Sequence, residues 1–160
     1  MNKQEFIAGM SCILNRGQGS DLSYFADKAH DELVDEFIEY LNVHRGLFPS
    51  WKITKSHALN ESGVDILLES EDVKLGFQIK SHFDVSENQF AANVKRQALE
   101  SMQHGLDKYY VLICSPHEDD QNKFEGRISH LFNELSKLKT MYLATYTLSL
   151  IHISEPTRPY

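Results

Sequence analysis

At 160 residues and 41% apolar side chains, the chain has the size and composition of one globular domain with a real core. A formal net charge of −7 excludes a protein that coats nucleic acid through a broad positive surface, though not one with a local basic path. The two cysteines, Cys12 and Cys114, lie in apolar surroundings without zinc or redox spacing, and read as buried thiols of a reducing compartment. No apolar run reaches transmembrane length. The opening Met-Asn-Lys-Gln-Glu-Phe puts an acid ahead of a short, interrupted hydrophobic stretch, so no signal peptide is expected and the cytoplasm is the expected location.

Residues 2–15 read as a helix, with Phe6, Met10, Ile13 and Leu14 spaced for one face and Gly17 as its stop. The following Arg16-Gly-Gln-Gly-Ser20 is a linker; its Gly-x-Gly follows no strand and lacks a third glycine, so it is no phosphate loop. Ser20 or Asp21 opens a second helix running to about Val43, striped with Ala29, Leu33, Val34, Phe37, Ile38 and Leu41, and stopped at Gly46. Most of its acids read as solvent-facing, while Asp31 or Glu32 sits at the margin of the stripe and His30 reads as packed within it. Phe48 to His57 reads as a first strand with Pro49 at its start, and Asn60-Glu-Ser-Gly63 as a turn.

Val64 to Lys80 then reads as a β-hairpin centred on Glu71 and Asp72. That centre sets Ser70 opposite Val73, Glu69 opposite Lys74, Leu67 opposite Gly76 and Asp65 opposite Gln78. Alternation puts Ile66, Leu68, Leu75, Phe77 and Ile79 on one face, and Asp65, Glu69, Lys74, Gly76, Gln78 and Lys80 on the other. A one-residue slip would turn the apolar set into water, so the faces are better determined than the turn type. Asp65, Gln78 and the main-chain carbonyl of Ile79 together offer hard oxygen ligands suited to Mg2+. Lys80 beside them can orient a water or offset phosphate charge, and Gly76 leaves room for a bulky backbone. The plain alternative is a solvated strand face.

Residues 81–85 read as a loop, and Ser86-Glu-Asn-Gln89 as the capping box of a helix to about His104, closed by Gly105. Phe90, Ala91, Val94, Ala98 and Met102 form its inward face, and Lys95, Arg96 and Gln97 a polar cluster in which Lys95 and Arg96 are candidate phosphate contacts. Tyr109 to Cys114 is a continuous apolar run, as in a strand buried on both faces, with Pro116 beyond it. An acidic loop leads into a helix over 121–138 carrying Phe124, Ile128, Leu131, Leu135 and Leu138, and residues 140–146 read as a last strand. Residues 148–160 resemble the translation of a sequencing-adapter read-through, and are expected to be no part of the evolved protein. The remaining 1–147 read as a single domain: helix and linker (1–19), core (20–115), and a helix-strand extension (116–147).

An acid on the second strand, with Gln-x-Lys thirteen residues later on the third, lies within the order helix, strand, two-stranded hairpin, helix, strand. Motif and order together resemble the PD-(D/E)xK nuclease superfamily, and within it the restriction-endonuclease-like, Mrr-like branch in which Gln often replaces the second acid. Gly63-Val-Asp65 matches the first part of the motif and Gln78-Ile-Lys80-Ser81 the second; no proline precedes Asp65. The resemblance implies an α/β fold with an α-β-β-β-α-β core, its mixed central sheet flanked by helices. It also implies Mg2+-dependent hydrolysis of phosphodiester bonds in DNA rather than RNA, with Mn2+ able to substitute, as in a restriction or defence system. Asp65, Gln78 and the Ile79 carbonyl would hold the metal, and Lys80 would assist the attacking water. Asp31 or Glu32 stands where the family often places a further acid, and Gln97 where some members carry a polar residue. Many such nucleases act as dimers, which makes a homodimer one form the resemblance allows. The acidic balance and the missing second carboxylate support a rival reading, a degenerate module that binds nucleic acid or a protein partner without cutting; a plain structural domain is the third.

Overall fold

The hairpin organises the molecule. The computed structural model describes residues 1–16, 28–48, 50–55, 63–114, 121–135 and 141–145. Strands β1 (Lys52–Lys55), β2 (Ile66–Ser70), β3 (Val73–Lys80), β4 (Lys108–Ile113) and β5 (Met141–Thr145) form one sheet in that spatial order. The first three are antiparallel neighbours, and β3, β4 and β5 run parallel. Ser70 pairs with Val73, Glu69 with Lys74 and Leu67 with Gly76, the register that alternation demands. β1 is shorter than the predicted strand: Phe48 lies outside it, and Pro49, Ser56 and His57 fall outside the described residues.

Each sheet face has its own helical layer, giving a mixed α/β architecture. Ile66, Leu68, Leu75, Phe77 and Ile79, joined by Tyr110 and Leu112, pack against helices α1 (Lys3–Arg16) and α2 (His30–Val43). Burying a side chain of this size contributes about 1.5–3 kcal/mol, and among the described residues this is the larger of the two apolar layers. Tyr40 of α2 donates its hydroxyl to the Ile13 carbonyl of α1 at 2.8 Å, satisfying a buried oxygen between the two helices. On the opposite face Leu67, Tyr109, Val111 and Ile113 pack against α3 (His82–Ser86), α4 (Phe90–Ser101) and α5 (Gln121–Leu135). β4 is thus buried on both sides, as its unbroken apolar run requires. Among the described residues no helix is long and apolar enough to cross a membrane.

Several boundaries differ from the sequence reading. α2 starts at His30: Ala29 is extended and caps the helix without a side-chain bond, and the predicted start at Ser20 or Asp21 lies outside the described residues. Residues 81–85 are mostly helical, because Ser81 and Asp84 make both reciprocal bonds of a capping box. The similar signal from Ser86 to Gln89 goes unused, and α4 opens at Phe90 with no side-chain cap at Gln89. Met102 lies beyond α4 in a 3-10 turn and is exposed, while Gly105, at φ +64°, ends that turn in the left-handed region. Cys114 is buried, but Cys12 is exposed on α1. The space beside Gly76 is filled by Leu106 and the Tyr109 ring, so it admits no approaching backbone.

Asp107 ties the far end of β3 to its surroundings. Its Oδ2 accepts the Lys74 amide at 2.8 Å, its own amide donates to the Lys74 carbonyl at 2.8 Å, and its Oδ1 meets Lys3 Nζ at 2.8 Å. Burial pushes the Asp107 carboxyl up, but the bonds from Lys3 and the Lys74 amide outweigh it and hold the group below its usual range. A depressed carboxyl contributes stability above its unfolded value of 3.8, and that contribution fades as pH falls through the lower folded value. Asp107→Ala should therefore cost about 1 kcal/mol at neutral pH, chiefly through the lost bond to the Lys74 amide. Denaturant melts at stepped pH should show the difference from wild type shrinking as pH falls below 3.8 through the lower folded value.

Candidate functional site

At the end of β3 where the motif lies, the polar side of the hairpin is not a solvated face. Asp65 is 8% exposed, Gln78 3% and Lys80 6%, with partners on α2, β4 and α4 respectively. Gly63 makes the approach of α4 possible: its φ is +74°, and a Cβ there would lie 1.9 Å from the Gln97 carbonyl oxygen of that helix. Glycine thus lets the chain turn into Asp65 directly against the helix.

Asp65 closes the hairpin with its side chain. Its amide donates to the Phe77 carbonyl at 2.8 Å, and its Oδ2 accepts the Ile79 amide at 2.7 Å. The same oxygen lies 3.1 Å from Nε2 of His30, the first residue of α2. The bond to Asp65 raises the His30 pKa above 6.5, against the opposing pull of burial, with the charges of Asp65 and Asp84 adding to the rise. Oδ1 of Asp65 accepts no hydrogen bond from any described residue.

Gln78 meets Tyr109. The phenol donates to the Gly63 carbonyl at 2.6 Å and lies 3.2 Å from the Gln78 amide oxygen. One hydroxyl proton serves the shorter bond best, so the amide is better turned by 180°, with its NH2 donating to the phenol oxygen and Oε1 freed on the other side. Burial, with the charges of Asp65 and Glu100, lifts the Tyr109 pKa well above 10.0 and keeps the phenol a donor. Lys80 donates from Nζ to Oε1 of Gln97 at 2.6 Å. Burial pulls the Lys80 pKa down, Asp84, Asp65 and Glu87 oppose that pull, and Arg96 adds slightly to it.

The structure therefore gathers Asp65, Gln78, Lys80 and Gln97, and brings Ile79 to Asp65 through its amide. It keeps the two acids of α2 apart from them. The Asp31 side chain is 82% exposed and lies 3.6 Å from His30 Nδ1, and Glu32 is exposed. Lys95 pairs with Glu134 and Arg96 with Glu100, both at 2.9 Å on the outer flank of α4. The structure also brings His30, which the sequence places in a packed stripe, to Asp65, and makes Asp84, which the sequence places in a loop, a member of the α3 capping box just after Lys80. A histidine among the acids of α2 and a Ser-x-x-Asp directly after Lys80 were the available signals.

Among the described residues no three His, Cys, Asp or Glu side chains converge as a metal-binding group. The donors that are present, one carboxylate with a free oxygen and a neutral amide oxygen, still suit Mg2+, which takes one or two carboxylates and keeps several waters. No protein-family model, curated protein or solved structure matches the chain.

Gly63→Ala should destabilise the fold by at least about 2 kcal/mol, because it combines a strained φ with a backbone clash. Denaturant unfolding checks this, and a loss below about 0.5 kcal/mol would show that α4 shifts freely away from the hairpin.

Proposed function

We propose that the chain is a Mg2+-dependent endonuclease that hydrolyses phosphodiester bonds in DNA, on a restriction-endonuclease-like core. One observation carries this reading: a carboxylate, an amide and an ammonium lie together, nearly buried, at one end of β3. Removing such groups from water is costly, and packing the sheet does not require it. The α-β-β-β-α-β order and the mixed sheet between helical layers support the same reading.

In this mechanism Asp65, the Gln78 amide oxygen and the Ile79 carbonyl would hold Mg2+, or Mn2+ in its place. When bound, the ion supplies positive charge against the phosphate and makes a nearby water more acidic. The Ile79 amide and His30 fix the Asp65 carboxylate in one orientation. Gln97 holds the Lys80 ammonium, which orients the attacking water and offsets charge on the phosphate. Burial eases proton exchange at Lys80 by lowering its pKa. Lys95 and Arg96 on the α4 flank contact the DNA backbone after yielding their carboxylate partners. Cutting both strands favours a homodimer, and the reducing cytoplasm suits the two free thiols. The single carboxylate of the motif favours a second reading, a non-cutting module that binds nucleic acid or a protein.

Lys80→Met keeps the buried stem and removes the charge. With Mg2+ or Mn2+, plasmid cleavage should fall at least about 100-fold while the circular dichroism spectrum stays unchanged. Equal cutting by the variant would reject the assignment, and binding without cutting by the intact chain would favour the second reading. Asp65→Asn still accepts the Ile79 amide, so it should weaken Mg2+ in a calorimetric titration without opening the hairpin; unchanged affinity would remove Asp65 from the site.

A further inference from the structure

The charge balance of the site leaves a gap that Asp84 is placed to fill. A glutamine at position 78 leaves Asp65 as the one carboxylate of the motif, and Lys80 cancels it. A divalent cation entering a neutral site gains little from charge and must give up some of its water. Asp84 lies four residues after Lys80, on the short helix α3, and is half-buried. Its Oδ2 accepts both the Ser81 amide at 2.8 Å and the Ser81 hydroxyl at 2.9 Å. Ser81 is itself buried and follows Lys80 directly, so these bonds hold the carboxylate against the backbone that leaves Lys80. Oδ1 accepts no hydrogen bond from any described residue. Glu87, the next acid along the chain, is exposed instead, with Asn93 as its partner at 3.5 Å.

We propose that Asp84 supplies the second negative charge of the Mg2+ site, as an outer carboxylate that meets the hydrated ion through water. This rests on the nuclease reading of Asp65, Gln78 and Lys80. Asp84 is thus a positioning residue for the ion, and the capping box of α3 sets where it stands.

Calorimetric titration of the intact chain with MgCl2 alone tests this. Asp84→Asn keeps an oxygen for the Ser81 bonds and loses only the charge, so it should weaken Mg2+ about tenfold with an unchanged metal-free Tm. Asp84→Glu keeps the charge at the position where a capping box commonly carries Glu, and should restore near wild-type affinity. Glu87→Gln should bind as wild type does. Wild-type affinity in Asp84→Asn, or equal loss in Asp84→Glu, would overturn the assignment of Asp84 while leaving Asp65 and Lys80 untouched. Absence of Mg2+ binding in the wild-type chain would overturn both this inference and the nuclease reading.

Discussion

At the open end of the β2–β3 hairpin a side chain does the work of a backbone carbonyl: Oδ2 of Asp65 accepts the Ile79 amide at 2.7 Å. The position of the whole polar end follows from that bond. It holds Asp65 close to the sheet, where α2 reaches it through His30, and it anchors the backbone between Gln78 and Lys80. A charge-assisted bond of this kind contributes about 1.5–3 kcal/mol. Without it the fully buried Ile79 would keep an unpaired amide donor.

Around this bond the buried polar groups are satisfied in relay, each by a different element. Tyr109 of β4 serves Gly63 and Gln78, Gln97 of α4 serves Lys80, and His30 of α2 serves Asp65. Three elements thus converge on one strand end, and shifting any of them leaves a buried polar atom without a partner. Such a network selects one docking of α4 on the sheet more sharply than apolar contact does. Val94 and Ala98 would tolerate a small slide, whereas Gly63 pressed against the Gln97 carbonyl would not.

What could be read from the chain divides along the same lines. The hairpin register and the double burial of β4 were legible because alternation, or its absence, is a local signal with a strong apolar penalty for error. The start of α2 was not, since helical periodicity runs on past the point where Ala29 turns extended. Nor was the choice between two overlapping Ser-x-x-polar signals around α3; burial of Val85 and the bonds of Ser81 decide it. Asp65, Gln78 and Lys80 could be named because they share a strand face. His30 joins Asp65 across 35 positions of sequence, a contact that only the packing of α2 creates.

Charge ties the site to the rest of the molecule. A chain of net charge −7 repels a nucleic-acid backbone at long range, so in the nuclease reading attraction has to come from within a Debye length of the site, about 8 Å at physiological salt. A motif with two carboxylates would add to that repulsion whenever the cation is absent. Glutamine at position 78 removes one of those charges, and Lys80 sets a positive charge against the Asp65 that remains. In the nuclease reading the substitution exchanges some of the hold on Mg2+ for easier approach of a polyanion. Carrying the second acid outside the strand motif, on α3, is consistent with both demands: it can act on a hydrated ion through water while standing back from the buried end of β3.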